Sequence, residues 1–83
     1  MNKILVEVYL PAALKAFDVR IPADMPFSQT ISLVADALTQ LSGYFYQADG
    51  SAILCDRQSG KILNVNMTAW ELGLKNGSKL MLI

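Results

Sequence analysis

Alternation of apolar and polar side chains near both ends of this 83-residue chain constrains its fold more than any other feature. The first alternating run covers residues 3–10, and its apolar face consists of Ile4, Val6, Val8 and Leu10. A period of two is typical of a strand with one buried and one solvent-facing side. Pro11 has no amide hydrogen to donate and cannot continue a central strand. A second alternating run, residues 17–21, follows it, so the sequence predicts a β-hairpin.

A helical period replaces the alternation at Phe27. Between residues 27 and 41, apolar side chains recur at spacings of four and three, which places them on one helix face. Pro26 suits the entry to the first turn, where its missing amide hydrogen has no cost. Gly43 is a natural terminator, because glycine adopts the left-handed conformation that often ends a helix. The pattern predicts one long helix over residues 27–41.

Shorter elements are predicted for the second half of the chain. Apolar runs at residues 52–55 and 61–65 indicate short strands. Thr68 and Glu71 then have the spacing of a capping box, which predicts one helical turn. A final alternating run at residues 79–83 indicates the last strand.

The order of these predicted elements is that of the β-grasp fold. Two strands are followed by a long helix, two short strands, a helical turn and a last strand. We therefore expect a single α+β domain over residues 1–83, in which a mixed sheet wraps around the helix. Parallel pairing of the first and last strands at the centre of the sheet is a known property of this fold, not a result of periodicity.

Composition excludes several classes of function. Seven basic and seven acidic residues give a net charge of zero, whereas nucleic-acid binding draws its affinity from cationic contacts to phosphates. The chain has no histidine, the most common general base, and its single cysteine cannot form a cysteine-rich zinc site. No apolar stretch reaches the roughly 20 residues of a spanning helix. We expect a cytoplasmic binding protein without catalytic residues, cofactor, metal, nucleic-acid partner or membrane insertion.

Individual residues with reactive side chains also have structural interpretations. Cys55 could be a reactive thiol, but no histidine exists to activate it, so we interpret it as an apolar residue of a buried strand. Asp49 and Asp56 flank turns and have no ligand motif around them, which favours solvated carboxylates over a metal site. Trp70 either closes one end of the core or contacts a partner.

The outer face of the predicted sheet is the first candidate binding surface. Alternation places Leu5 and Tyr9 opposite the core on the first strand, and Met81 and Ile83 opposite the core on the last. If these strands are neighbours, the four side chains meet on a solvent-facing surface, with Leu54 beside them. A contiguous exposed apolar patch on a small protein usually marks a contact site. We therefore predict protein binding through these five residues.

Two further surfaces also have the composition of contact sites. Between residues 25 and 48, Asp36 is the only charged side chain; uncharged surfaces suit interface cores, although a merely low-charge surface fits the pattern as well. Within this stretch we expect residues 44–46 to pack under the helix end with one aromatic ring exposed. The predicted hairpin tip, residues 10–14, is apolar too. Homodimerisation through the tip or through the outer sheet face remains open.

Two segments carry a resemblance to a known family. Residues 18–26, a strand that enters the helix through two prolines, and residues 68–80, with a Leu-Gly-x-x-x-Gly closure, resemble the ubiquitin-like superfamily. Within it, the chain looks like the YukD/EsaB-type proteins of bacterial type VII secretion. The resemblance implies a non-catalytic, non-conjugated interaction module in the cytoplasm, held at the inner face of the cell membrane through a partner. Its implied partners are membrane-bound secretion subunits, either the motor ATPase or the pseudokinase-type subunit.

Two alternatives to this interpretation remain. A similar pattern opens the membrane channel subunits of the same secretion systems, so the chain could be the cytoplasmic domain of a longer channel subunit. A ubiquitin-like modifier or sulfur carrier needs a flexible tail that ends in Gly-Gly. The predicted last strand instead runs to Ile83, which is β-branched, and we expect no such chemistry.

Overall fold

The computed structural model describes residues 2–83 and shows a four-stranded mixed sheet with one long helix. The elements are β1 (Lys3–Leu10), a 3₁₀ turn (Pro11–Ala13), β2 (Lys15–Pro22), α1 (Phe27–Leu41), β3 (Leu54–Asp56) and β4 (Lys79–Leu82). The strand order in the sheet is β2-β1-β4-β3. This is the predicted β-grasp arrangement. No helix among residues 2–83 combines the length and the apolar character that crossing a bilayer requires.

The predicted hairpin is confirmed. Strands β1 and β2 pair antiparallel without a bulge, from Lys3 opposite Pro22 to Leu10 opposite Lys15. Leu14 closes the turn in the left-handed conformation, with φ of 52°, and donates its N–H to the Pro11 carbonyl at 3.1 Å. Strand β2 begins at Lys15 and not at residue 17 as predicted, because the ladder continues to the tight turn.

The helix has the predicted bounds, residues 27–41. Pro26 precedes its first residue, and no side chain caps the first turn. Instead, the first free backbone groups of the helix are satisfied by a distant segment: Phe27 donates to the Met67 carbonyl at 2.8 Å and Ser28 to the Val65 carbonyl at 2.9 Å. These bonds hold residues 65–67 against the start of α1.

Strand β4 inserts beside β1 in parallel and places the C-terminal segment at the centre of the sheet. Val8 lies opposite Leu80, and Tyr9 lies opposite Met81. The core fills the space between the inner sheet face and the helix. Its fully buried side chains include Val6, Val8, Leu10, Ile21, Phe27, Val34, Leu38, Leu54, Leu80 and Leu82.

The short predicted strands differ from the observed ones. The first covers Leu54–Asp56 instead of residues 52–55. Residues 61–65 form no strand and are limited to an isolated bridge between Ile62 and Cys55. The capping box is confirmed by two reciprocal bonds: Thr68 donates to Glu71 Oε1 at 2.9 Å, and Glu71 donates to Thr68 Oγ1 at 3.2 Å. It begins a run of turn residues in which the Leu72 N–H donates to the Thr68 carbonyl at 3.0 Å, the bond that closes a single helical turn as predicted.

Candidate protein-binding surface

The outer face of the sheet carries a row of apolar side chains that crosses every strand. Tyr9 on β1 lies opposite Ala16 on β2 and opposite Met81 on β4. Met81 in turn lies opposite Cys55 on β3, and Cys55 bridges to Ile62. Directly opposed residues share a face of the sheet, so the strand register alone brings these side chains together.

A second pair extends this row towards the end of β4. Ile53 and Ile83 exchange two backbone hydrogen bonds of 2.9 Å each, and their side chains are 40% and 56% exposed. Ile53 lies two residues before Cys55 and just before β3, and Ile83 lies two residues after Met81 and just after β4, which places both on the same face as the row. We call the combined surface the apolar patch, which consists of Tyr9, Ile53, Cys55, Ile62, Met81 and Ile83.

Members of the apolar patch differ in their accessibility. Ile62, at 64% exposed, is the most open of them, while Tyr9 and Met81 are half-buried. Cys55 is buried, and its thiol contacts the Met81 carbonyl oxygen at 3.6 Å. Burial raises the pKa of Cys55, and the neighbouring Asp56 carboxylate raises it further. The thiol therefore stays protonated at neutral pH and forms an apolar floor of the patch; the sequence had indicated an apolar residue of a buried strand.

Two of the predicted binding residues are not part of the apolar patch. The prediction that Leu54 faces outwards is wrong: it lies opposite Leu82, faces the core and is 1% exposed. Leu5 is on the predicted face and is 38% exposed. However, the salt bridge between Glu7 and Lys79, with 3.5 Å between their charged atoms, lies between it and Tyr9. The predicted five-residue cluster thus keeps Tyr9, Met81 and Ile83, and loses Leu5 and Leu54.

Charged side chains form a border along one side of the apolar patch. The Arg57 guanidinium carbon lies 4.3 Å from the centre of the Tyr9 ring, a cation–π contact that also shields the ring from water. Glu7 and Lys79 continue the border on β1 and β4. Because exposed ion pairs contribute at most about 1 kcal/mol, this border adds little to stability.

The carboxylates of Asp49 and Asp56 stabilise turns through hydrogen bonds. Asp56 accepts the Ser59 N–H at 2.8 Å and Asp49 accepts the Ser51 N–H at 3.0 Å. Hydrogen bonds from these serines lower the pKa of each aspartate. Within residues 2–83, no three histidine, cysteine, aspartate or glutamate side chains lie close enough to share a metal ion.

Aromatic residues beyond α1 are more exposed than predicted. Tyr44 and Phe45 are 64% and 75% exposed, and only Tyr46 packs against the core. The expectation of a single exposed ring is therefore wrong, and the chain leaves the helix through two residues in the left-handed conformation, Gly43 and Tyr44. Trp70 is half-exposed, and its backbone N–H donates to the Ala23 carbonyl at 3.1 Å.

Comparison with known proteins gives structural but no sequence matches. No protein-family model matches the sequence, and no curated protein does either. Among solved structures, the ubiquitin-like domain of the Mycobacterium tuberculosis type VII secretion protein ECCD1 is similar, with a TM-score of 0.77 and 17% identity over 100% of this chain and 99% of that one. A chain of the toluene 4-monooxygenase HD complex has a TM-score of 0.79 and 15% identity, over 98% and 96% of the two chains.

A longer chain also contains this fold. In the MycP5-free ESX-5 inner membrane complex, one chain matches with a TM-score of 0.74 and 20% identity. The match covers 100% of this chain but 21% of that one. Together these likenesses show that the protein has the ubiquitin-like β-grasp fold.

Proposed function

We propose that this protein is a non-catalytic ubiquitin-like module that binds a protein partner through the apolar patch. The observation that carries the proposal is the row formed by Tyr9, Met81 and Ile62, which leaves apolar side chains on the solvent face of the sheet. Aliphatic, thioether and aromatic groups surround a protonated thiol there. Such a surface can be buried by a partner but offers no group for acid–base or nucleophilic chemistry.

The size of the patch sets the affinity to expect. Burial of roughly 300 Å² of apolar surface at ~25 cal/mol per Å² contributes about 7.5 kcal/mol before the costs of association. Those costs consume much of this gain, so the patch alone supports a weak and reversible contact. Arg57, Glu7 and Lys79 beside the patch can then select a partner of matching charge.

Type VII secretion is the cellular setting we propose. The structural likeness to the ECCD1 domain and to a chain of the ESX-5 inner membrane complex supports it. In this setting the protein is a YukD/EsaB-type accessory component in the cytoplasm. It docks on membrane-bound subunits, either the motor ATPase or the pseudokinase-type subunit, at the inner face of the membrane.

A second candidate is that the chain forms the cytoplasmic domain of a longer channel subunit. The ESX-5 chain favours it, because this chain spans about a fifth of its length. An encoded membrane-spanning segment that follows residue 83 in the same reading frame would establish this candidate, and a stop codon there would refute it. The docking role of the apolar patch is the same in both cases.

Capture of secretion subunits from detergent-solubilised membranes tests the proposed function. Immobilised protein should retain the motor ATPase or the pseudokinase-type subunit, identified by mass spectrometry. Ile62→Asp and Met81→Asp place a charge in the patch and should reduce capture at least tenfold. Leu5→Asp is the matched control, because Leu5 lies on the same sheet face beyond the Glu7–Lys79 pair. Unchanged capture by folded Ile62→Asp and Met81→Asp variants would refute the proposal.

A further inference from the structure

Strand β2 forms an open edge of the sheet. It pairs with β1 on one side, and the strand order places no other strand beside it. Its ladder runs from residue 15 to residue 22 without a bulge, and its only proline is the last residue. Bulges, central prolines, very short lengths and charged side chains are the usual devices that prevent edge strands from pairing with another chain. Of these, β2 has only charged side chains, which are Lys15, Asp18 and Arg20.

The hydrogen-bonding phase of β2 identifies the groups that face outwards. Ala23 donates its N–H to the Asn2 carbonyl at 2.9 Å, and ladder bonds recur at every second residue of an antiparallel pair. The odd-numbered residues of β2 therefore bond to β1. Residues 16, 18 and 20 direct their N–H and C=O groups to the open edge. Among residues 2–83, no backbone hydrogen bond outside the β1–β2 ladder involves these three residues.

Charge on the same strand follows a self-complementary pattern. Asp18 and Arg20 are exposed and lie two residues apart on the outer face. Asp18 lies opposite Glu7 of β1, a like-charge neighbour, while Glu7 is paired with Lys79. That pair is the one salt bridge among residues 2–83, so neither Asp18 nor Arg20 has an ionic partner within the described chain.

We propose that a second copy of this chain pairs with the protein edge to edge through β2. The two β2 strands run antiparallel about a two-fold axis at Val19. In this register Asp18 of each copy lies opposite Arg20 of the other, and the opposed residues exchange both N–H···O=C bonds. Two four-stranded sheets become one continuous sheet. Each cross-edge pair also neutralises the carboxylate that faces Glu7 in the single chain.

The charges of Asp18 and Arg20 favour one register of the paired β2 strands, and they favour a second copy of this chain as the partner at the edge. An axis shifted to residue 18 places Asp18 opposite itself, and an axis at residue 20 places Arg20 opposite itself, so both registers oppose like charges. An isologous contact requires a surface that matches itself after a two-fold rotation. An aspartate and an arginine two residues apart on an antiparallel edge meet that requirement, which favours a second copy over an unrelated peptide.

The geometry of the pair has a consequence for the apolar patch. A two-fold axis perpendicular to the sheet keeps the outer faces of both copies on the same side. The patches of the two copies then face the same partner surface, while both helices lie behind the sheet. A partner that presents two binding sites would be held more tightly than one site allows.

Sedimentation velocity from about 10 μM to 1 mM tests the pairing, because an edge contact alone is small and we expect weak association. In about 50 mM salt, where exposed charges are less screened, the wild-type protein should show dimers whose fraction rises with concentration. The amide resonances of Ala16, Asp18 and Arg20 should shift along the same dilution series. A protein that stays monomeric throughout overturns the proposal.

Charge reversal separates this register from other modes of association. Asp18→Arg alone and Arg20→Asp alone should each weaken dimers about tenfold or more, since both cross-edge pairs become like-charged. The two variants mixed together should associate, and the double variant D18R/R20D should recover wild-type dimers. Ile62→Asp is the matched control and should leave dimerisation unchanged. Dimers that survive both single reversals, or that are lost in Ile62→Asp, overturn the proposal.

Discussion

Replacement of Thr30 by valine should make the protein more stable. Thr30 lies on the buried side of α1 and is fully inaccessible to solvent, and its Oγ1 atom has no hydrogen-bond partner within residues 2–83. A buried hydroxyl without a partner costs about 1–3 kcal/mol. Valine has nearly the same shape and helix propensity, and it replaces the hydroxyl with a methyl group. We therefore expect a gain of about 1–3 kcal/mol in the free energy of unfolding.

Thermal and urea denaturation, followed by circular dichroism, measure this gain. For a domain of this size, 1 kcal/mol corresponds to a rise in Tm of about 4–8 °C. Thr39→Val is the matched control on the same helix. The Thr39 hydroxyl donates to the Ala35 carbonyl at 2.9 Å and accepts the Ala48 N–H at 3.0 Å. Its loss should cost about 1 kcal/mol.

The two substitutions thus remove the same hydroxyl group, but Thr30→Val should raise the free energy of unfolding and Thr39→Val should lower it. If Thr30→Val lowered the stability of the protein as Thr39→Val does, the Thr30 hydroxyl would have a partner in solution. A buried water molecule is the alternative that would explain such a result. Thr30→Ser distinguishes the two cases further, because it keeps the hydroxyl and removes only the methyl group. Thr30→Ser should be less stable than Thr30→Val if the hydroxyl has no partner, and more stable than Thr30→Val only if the hydroxyl is paired.

Two further predictions concern the core and the thiol. Leu38→Ala, at a fully buried position of α1, should cost about 2–5 kcal/mol in urea denaturation, and a cost below 1 kcal/mol would contradict the core packing. Cys55 should react with a thiol reagent far more slowly in the native protein than in urea, and equal rates would show that the thiol is open. Because burial raises its pKa, the unfolded chain loses this proton first as the pH rises, so the contribution of Cys55 to stability should fall above about pH 8.5.

The long periodic segments explain why the fold could be predicted. Fifteen residues of helical period fixed the bounds of α1, and eight alternating residues fixed which side of β1 is buried. In such segments every residue repeats the same signal, so one ambiguous position cannot change the assignment. The order of the elements then leaves few arrangements that bury every apolar face.

The binding surface was harder to predict because it depends on register. Strand β3 has three residues, and its first two, Leu54 and Cys55, are both apolar, so the local pattern cannot show which one faces the core. The pairing of Leu54 with Leu82 decides it. Ile62 was missed for a similar reason: its place beside Cys55 depends on an isolated bridge between distant segments. Neither the bridge nor the parallel register of β4 leaves a periodic signal.

The outer face of the sheet therefore has two regions with different expected roles, and the most exposed residue of the apolar patch lies far from the charged edge. Ile62 lies beyond β3, whereas Asp18 lies on β2 at the opposite edge. With neighbouring strands about 4.8 Å apart, the two positions are separated by nearly 20 Å. Substitutions at that distance usually have additive effects.

Because effects at distant sites add, combined substitutions in the apolar patch and on β2 test the docking role and the pairing role together. For a soluble partner with one binding site, Ile62→Asp should weaken capture equally in the wild-type and Asp18→Arg backgrounds. For a partner with two sites, Asp18→Arg alone should also weaken capture, because separate copies cannot hold both sites at once. If Asp18→Arg impaired binding to the single-site partner, the charged edge would itself be part of the docking surface, and the division between the two regions would be wrong.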